Sequence, residues 1–207
     1  MIHEFTLKGT RPLIMHNGRL ANPMDPFAKM LKAAATKRGK GDEDYVNISR
    51  IEFAGGLYWD SKLGPYIPTD SLQAMLVEGA RKHKLGKQFE ALVQVVPPND
   101  DVEEADGYPL EYVGPRDVEG LFNHEGQRFV YIKMVRVGQA KVPRTRPRFL
   151  TWSITFKVEI DDAAGGPTVE QVRQALEDAG HVVGFCDWRP RYGRFEVIGA
   201  PTGTKPS

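Results

Sequence analysis

The segment that most constrains the fold is FLTWSITFKVEI, residues 149–160, where apolar and polar residues alternate. Successive side chains of a strand point to opposite faces. One face therefore carries Leu150, Trp152, Ile154, Phe156, Val158 and Ile160. A strand with one apolar and one polar face is typical of an antiparallel sheet that is covered on one side only. The pattern predicts such a sheet.

Two segments have the apolar spacing of amphipathic helices. Residues 69–85 carry Leu72, Met75, Leu76 and Ala80 at helical intervals, with Thr69 as the expected N-cap. Residues 168–179 begin with the capping box Thr168 and Gln171. These segments predict the two helices that cover the apolar face of the sheet.

The remaining core strands are predicted at residues 2–8, 128–137 and 182–198. The element order is then βαββαβ. The predicted fold class is α+β: a ferredoxin-like (RRM-related) antiparallel sheet with two helices on one face. We expect a single domain over 1–200, with insertions at about 9–60 and 90–127 and a flexible tail at 201–207. Within the first insertion, we expect a helix at 27–38 and a hairpin or two short strands at 51–60.

Charge is unevenly distributed along a chain whose formal net charge is only +1. No acidic residue lies between Gly126 and Lys157, a stretch that also holds seven basic residues. Acidic residues collect instead at 41–45 and 99–107. Such segregation produces a local positive field that attracts polyanions. The alternative is a solvated basic face with no partner.

Two basic segments favour a single-stranded nucleic acid, which needs cations for phosphates and flat side chains for bases. In GQAKVPRTRPR, residues 138–148, alternation places three arginines on one side of an exposed hairpin arm. In CDWRPRYGRFEV, residues 186–197, we expect Trp188 and Phe195 to anchor a loop that Gly193 allows to turn. The alternative is that the arginines of this loop pair with Asp187 and Glu196.

The predicted nucleic-acid-binding residues are Lys133, Arg136, Lys141, Arg144, Arg146, Arg148, Arg189, Arg191, Tyr192 and Arg194. No metal site or cofactor is expected, because the five histidines are scattered and Cys186 is the only cysteine. No apolar run approaches a membrane span and the N-terminus lacks a signal-peptide core, so we expect a cytoplasmic protein with no membrane partner.

The segment IPTDSLQAMLVEGARK resembles the proline–serine–helix signature of the RAMP superfamily, with Pro68, Thr69, Asp70, Ser71 and Leu72 at the matching positions. These ferredoxin-like proteins form the RNA-binding backbone of CRISPR effector complexes. The basic residues 138–148 resemble the family's thumb hairpin, which lies between its second and third core strands. The loop with Gly184 and Gly193 resembles the family's glycine-bearing loop, although the glycines are fewer and the chain is shorter.

The segments PLIMHN and DWRPRYGRF also resemble parts of small proteins from bacteriophages and prophages. The resemblances imply a phage-encoded relative that acts in the cytoplasm of a bacterial host. They imply a non-catalytic protein that coats single-stranded RNA or DNA as a head-to-tail homo-oligomer.

Two other functions stay open at this point. One is a phage protein–protein factor or inhibitor whose basic segment meets an acidic host or phage partner. The other is a RAMP-type endoribonuclease with His16 or His181 as the general base.

Overall fold

The computed structural model describes residues 1–98, 106–161 and 164–204 of a mixed α/β protein with antiparallel sheets. The chain groups into two compact units. Unit 1 comprises Met1–Leu13, Trp59–Tyr112 and Thr151–Ser207. Unit 2 comprises Ile14–Tyr58 and Val113–Leu150.

The strands are β1 (Ile2–Gly9), β2 (Leu13–Ile14), β3 (Trp59–Asp60), β4 (Gly64–Pro68), β5 (Val93–Val95), β6 (Gly107–Pro109), β7 (Val130–Val137), β8 (Ala140–Phe149), β9 (Ser153–Ile160) and β10 (Phe195–Thr204). The α-helices are α1 (Pro26–Thr36), α2 (Asp42–Gly56), α3 (Thr69–Arg81), α4 (Gly86–Leu92), α5 (Val118–Phe122) and α6 (Val169–Asp178). Short 3-10 turns occupy Gly18–Ala21 and Glu125–Gln127, and a π-helical turn occupies Ala179–Val183.

The main sheet of unit 1 has the strand order β10-β1-β9-β5, with antiparallel neighbours throughout. In β9, Ile154, Phe156, Val158 and Ile160 are buried. Phe5 and Leu7 of β1 lie opposite two of them and are buried as well. The predicted alternation is therefore confirmed from Ile154 onward. The prediction that Leu150 belongs to the apolar face is wrong, because this side chain is 38% exposed and lies outside the strand.

The opposite face of this sheet is polar. The hydroxyl groups of Thr6 and Thr155 lie 2.9 Å apart, and Lys157 and Glu159 are exposed. The aromatic rings of β1 and β9, Phe5 and Phe156, are buried on the opposite, apolar face. These two strands therefore lack the exposed rings that would stack bases there.

The two predicted helices of unit 1 form and contact each other. The capping box of α6 is confirmed, because Thr168 accepts from the Gln171 N–H at 3.2 Å and Gln171 accepts from the Thr168 N–H at 2.8 Å. The helix α3 is shorter than the predicted range 69–85 and ends at Arg81. Pro68, and not Thr69, occupies its N-cap, while the Thr69 hydroxyl donates to Asp106 at 2.5 Å.

Two predicted core strands are only partly confirmed: the strand at 128–137 forms as β7 but outside the main sheet, and the strand at 182–198 begins later than predicted. Residues 130–137 pair with β8 in unit 2, and the short strand β5 occupies the edge next to β9 in the sheet of unit 1. Residues 182–194 form a π-helical turn and a loop, so the last strand begins only at Phe195 and runs to Thr204. The π turn and the positive φ of Gly184 end the helix and prevent a strand there. The predicted tail beyond residue 204 lies outside the described residues.

Unit 2 combines two helices with the β7–β8 hairpin. The helix predicted at 27–38 is confirmed as α1, which Asp25 caps through the Phe27 N–H. The hairpin predicted at 51–60 is wrong, because residues 42–56 form α2. Its glycines serve close packing: a β carbon at Gly55 would lie 2.6 Å from the side chain of Leu20.

No helix within the described ranges is long and apolar enough to cross a membrane.

Candidate nucleic-acid interface

The β7–β8 hairpin holds six of the ten predicted site residues. Its register places Lys133 opposite Arg144 and Tyr131 opposite Arg146. Because faces alternate along a strand, Arg144, Arg146 and Arg148 share one face of β8, as the sequence predicts. Arg136 and Lys141 lie opposite each other on the other face.

The base of the hairpin is anchored by a buried carboxylate. Arg144 Nη1 donates to Oε1 of Glu52 at 2.6 Å, and the Thr145 N–H donates to Oε2 at 2.8 Å. Glu52 is only 2% exposed. Arg146 is buried and donates to the Thr145 carbonyl at 3.1 Å. The prediction that all three arginines lie on an exposed arm is therefore wrong for Arg146.

Arg148 is half-buried and also engaged with its own unit. Its Nε donates to the Arg128 carbonyl at 3.2 Å, and its Nη2 donates to the Gln127 carbonyl at 3.3 Å. Its guanidinium carbon lies 5.6 Å from the ring centroid of Tyr131. These contacts fix the segment before β7 to the end of β8.

The distal part of the hairpin presents what we call the tip surface: Ile132, Met134, Arg136 and Lys141, which share one face. Ile132 is 48% exposed and Met134 is 56% exposed. Arg136 and Lys141 are exposed, and Arg136 Nε donates to the Gly138 carbonyl at 3.1 Å in the turn. Lys133 is half-buried on the opposite face. The tip surface thus combines two cations with exposed apolar side chains.

The loop 184–194 in unit 1 turns at two glycines with positive φ, Gly184 and Gly193. The Gly193 N–H donates to the Pro12 carbonyl at 2.8 Å. A β carbon at Gly193 would lie 1.9 Å from the Phe185 carbonyl oxygen, so the turn requires glycine. The predicted role of Gly193 is confirmed.

Phe195 anchors this loop as predicted, because it is 2% exposed and its ring centroid lies 6.4 Å from that of Trp152. Trp188 is only half-buried and lies 6.5 Å from the ring of Tyr192. The prediction that Trp188 is an equivalent buried anchor is therefore wrong. Its backbone has a positive φ of 54°, which turns the chain at this point.

The predicted site residues of the loop lie at its surface. Arg189 and Arg191 are exposed, and the Arg191 guanidinium lies 5.6 Å from the centroid of the Tyr192 ring. Arg194 is half-buried and donates to the Pro190 carbonyl at 2.7 Å. The Arg191–Tyr192 pair therefore offers a cation beside an aromatic ring.

An open groove of about 1190 Å³ runs between α3 and residues 182–190 of unit 1. Arg81 and Arg189 line it, together with four acidic residues: Asp70, Glu78, Glu90 and Asp187. Arg81 already bonds Glu78 at 2.5 Å and Glu90 at 3.3 Å. The excess of carboxylates makes this groove unfavourable for a phosphate backbone.

Cys186 also lines this groove. Burial of its sulfur raises the pKa of the thiol to about 12, even though the nearby Arg189 lowers it. Since the thiolate is the nucleophilic form, the raised pKa lowers the reactivity of this thiol.

A pocket of about 440 Å³ in unit 2, which we call the unit 2 pocket, was not found from the sequence. It is lined by Tyr45, Val46, Ser49, Arg50, Phe122, Asn123, His124, Gln127, Val130 and Ile132. None of these lining residues is acidic. No sequence signal could have found it, because its walls come from α2, α5 and β7, and α2 was not predicted as a helix there.

The two histidines considered as general bases have different surroundings. His16 lines a cavity of about 230 Å³ in unit 2 that Glu52, Arg144 and Arg146 also line. His181, in unit 1, is exposed and its Nδ1 donates to the Glu177 carbonyl at 2.9 Å. The structure thus places His16, but not His181, in a cavity with predicted site residues.

Among the described residues, no group of three histidine, cysteine or acidic side chains is placed to hold a metal ion. The acidic residues at 41–45 belong to the start of α2, where they stabilise the helix N-terminus. Residues 99–105 of the second acidic run lie outside the described part of the chain.

No protein-family model matches the chain, and no curated protein has a significantly similar sequence.

Proposed function

We propose that the protein binds single-stranded RNA or DNA without cleaving it, and that the tip surface makes the main contact. The observation that carries the proposal is the pairing of Arg136 with Lys141 beside the exposed side chains of Ile132 and Met134. Cations bind phosphates and release their counterions. Apolar side chains exposed to this degree are covered favourably by the faces of unstacked bases.

The contribution of the predicted residues then differs by position. Arg136, Lys141, Arg191 and Tyr192 are the best placed to contact a strand, because they lie at the surface of their units or beside an aromatic ring. Arg144 and Arg148 make contacts within unit 2, and Arg146 is buried. Their positive charge still adds to the local field that attracts the strand.

We further propose that unit 1 has a ferredoxin-like arrangement related to the RAMP superfamily. The elements β1, α3, β5, β9, α6 and β10 follow the order βαββαβ, and the sheet order β10-β1-β9-β5 supports this assignment. The β7–β8 hairpin follows β5 and precedes β9 in the chain, as the thumb does in that family. We propose that the protein is a phage-encoded relative of this superfamily.

The proposed relationship includes a head-to-tail assembly on the strand. Such an interface is heterologous and open, so the number of copies grows with strand length. Light scattering with single strands of increasing length tests this proposal. A complex that keeps the mass of one protein copy on every strand would rule out the assembly but not the binding.

Fluorescence anisotropy with labelled single strands, at several salt concentrations, tests the binding. The variant Arg136→Ala/Lys141→Ala should bind more weakly, and the slope of log K against log salt should flatten by about 1.4, since each phosphate contact contributes about 0.7. The matched control is Lys29→Ala/Lys32→Ala, which removes two exposed cations from α1.

The control should keep a steeper salt dependence than the tip variant. Equal losses in both variants would mean that net charge, and not the tip surface, determines affinity. Absence of single-strand binding by the unmodified protein would overturn the proposed function.

A second candidate function is RNA cleavage, which the cavity with His16, Arg144 and Arg146 favours. A histidine that shares a cavity with two guanidinium groups, one of them paired with Glu52, would supply a general base and cations for a developing phosphorane. Incubation of labelled RNA with the protein and with His16→Ala tests this. Cut products that disappear in the variant would favour the nuclease, whereas intact RNA in both reactions would exclude it.

A further inference from the structure

We propose that the unit 2 pocket binds a nucleobase of the strand, turned out so that its ring lies against aromatic side chains. This inference rests on the proposed function and adds a base-binding site to it. The tip surface contributes phosphate contacts and apolar side chains that bases cover, whereas the pocket takes up one base. Single-stranded bases are commonly bound in this way, by stacking on rings and by hydrogen bonds to their edges.

Two aromatic rings of the pocket, Phe122 and His124, pack against neighbouring side chains. The ring of Phe122 lies 5.4 Å from that of Phe53, and the guanidinium of Arg50 lies 4.9 Å from the Phe122 centroid. The His124 ring packs edge-to-face on Phe129 at 5.0 Å. A pocket with positioned walls loses little conformational entropy when a flat ligand enters.

The polar groups of the pocket suit the edge of a base. His124 Nδ1 donates to the Glu125 carbonyl at 3.0 Å, so Nε2 of the neutral ring is an acceptor. Asn123 Nδ2 donates to Glu119 at 2.8 Å, which orients that amide. Asn123 and Gln127 each line the pocket with an amide that has donor and acceptor atoms.

Exposed apolar surface at the pocket also favours a flat, partly apolar ligand. Three side chains that line the pocket are exposed to solvent: Tyr45 by 55%, Val46 by 52% and Ile132 by 48%. Side chains of this kind gather on a surface where a ligand covers them. The volume of about 440 Å³ lies in the ordinary range for small-ligand sites.

The pocket is continuous with the tip surface through Ile132, which belongs to both. Ile132 and Arg136 are four residues apart on β7, a separation of about 13 Å along a strand. One bound strand can therefore contact the cations at the tip and place a base in the pocket. The charge of Arg50 is already compensated by its ion pair with Glu119, so the pocket is suited to an uncharged ring more than to a phosphate.

The experiment compares a normal single strand with an abasic strand of the same length and phosphate charge. The unmodified protein should bind the normal strand about ten-fold more tightly, because one stacked base contributes roughly 1–3 kcal/mol. Tyr45→Ala and His124→Ala should each lower affinity for the normal strand several-fold. Their affinity for the abasic strand and the salt slope should stay unchanged.

Two controls keep the test specific to the pocket. Tyr45→Phe retains the ring and should retain affinity. Val113→Ala truncates another exposed apolar side chain of unit 2, 82% exposed and outside the pocket, and should have no effect. The comparison of the two strands on the unmodified protein does not depend on any variant being folded.

Equal affinity of the unmodified protein for normal and abasic strands would overturn the base-binding pocket and leave the proposed strand binding intact. Equal losses on both strands in Tyr45→Ala or His124→Ala would also overturn it, because the pocket would then not distinguish bases. Failure of the unmodified protein to bind either strand would overturn the proposed function and this inference together.

Discussion

Arg144 and Glu52 form an ion pair in which Nη1 lies 2.6 Å from Oε1, and the carboxylate is almost completely buried. The second carboxylate oxygen accepts the Thr145 N–H. Glu52 belongs to α2, whereas Arg144 and Thr145 belong to β8. One acidic side chain therefore joins the helix to the hairpin of unit 2, and Arg144 is its counter-ion.

The first prediction concerns the stability that this ion pair provides. Arg144→Ala leaves the buried carboxylate without its cation, and it should lower the free energy of unfolding by about 1–3 kcal/mol. Glu52→Gln keeps the shape and removes the charge, so its effect should be smaller. Urea unfolding measures both, with the exposed Arg136→Ala as the control on the same hairpin. An Arg144→Ala variant with normal stability and weakened strand binding would assign Arg144 to the interface instead.

The second prediction compares two glycines that share a positive φ but differ in their surroundings. Gly193 has φ 67° and its absent β carbon would meet the Phe185 carbonyl oxygen, whereas Gly138 has φ 60° and open space. Gly138→Ala should cost only about 1 kcal/mol, from the left-handed conformation alone. Gly193→Ala adds a steric clash and should cost more than twice as much. Similar melting temperatures for the two variants would show that the loop 184–194 relaxes without loss of stability.

Local patterns of the sequence predicted the parts of the fold that local chemistry determines. The alternation of β9 and the capping box at Thr168 both appear in the structure. The glycine pair in α2 was interpreted as a turn, because glycine usually interrupts regular structure. Here Gly55 lies in a helix where the side chains of Leu20 and Phe27 approach closely. That contact joins distant parts of the chain, so no local pattern could reveal it.

The sequence predicted which residues of the candidate site are charged, but not which of them are exposed to solvent. Alternation correctly placed Arg144 and Arg146 on one face of a strand. Whether that face meets solvent depends on α2 and its Glu52, which come from residues far away in sequence. The exposed cations proved to be Arg136 and Lys141, on the opposite face. The aromatic residues of the unit 2 pocket are separated by more than seventy positions, as Tyr45 and Phe122 illustrate.

The third prediction concerns pH. Asp178 is buried at the end of α6 and is contacted by Lys82 Nζ and, at 2.5 Å, by His83 Nε2. The hydrogen bond from Lys82 is the main cause that lowers the pKa of Asp178 to about 2 from 3.8, and burial opposes it. Because the folded pKa is depressed, the stabilisation is complete above about pH 4 and disappears as the pH falls towards 2.

Asp178→Asn should therefore lower the melting temperature at neutral pH, with a loss of about 1–3 kcal/mol in unfolding free energy. The difference from the unmodified protein should shrink between about pH 4 and pH 2, where the carboxylate becomes protonated. Thermal melts across this range measure it. A difference that stays constant down to pH 2 would mean that the side chain acts through packing and not through its charge.

The fourth prediction concerns the reactivity of Cys186. The residue as a whole is half-buried, but burial of the thiol raises its pKa from 9.0 to about 12. A shift of this size leaves about a thousand-fold less thiolate at a mildly alkaline pH, and the thiolate is the form that reacts. Iodoacetamide should therefore modify the native protein far more slowly than the urea-unfolded chain, with mass spectrometry as the readout.

The variant Arg189→Ala tests whether the positive charge near this thiol affects its reactivity. Arg189 lowers the pKa of Cys186 and lines the same groove, so its removal should slow the modification further. The exposed Arg191→Ala, outside the residues that line the groove, should leave the rate unchanged. Rapid modification of the native protein would show that the loop 184–194 opens readily, because the thiol reacts only when its surroundings admit water and reagent.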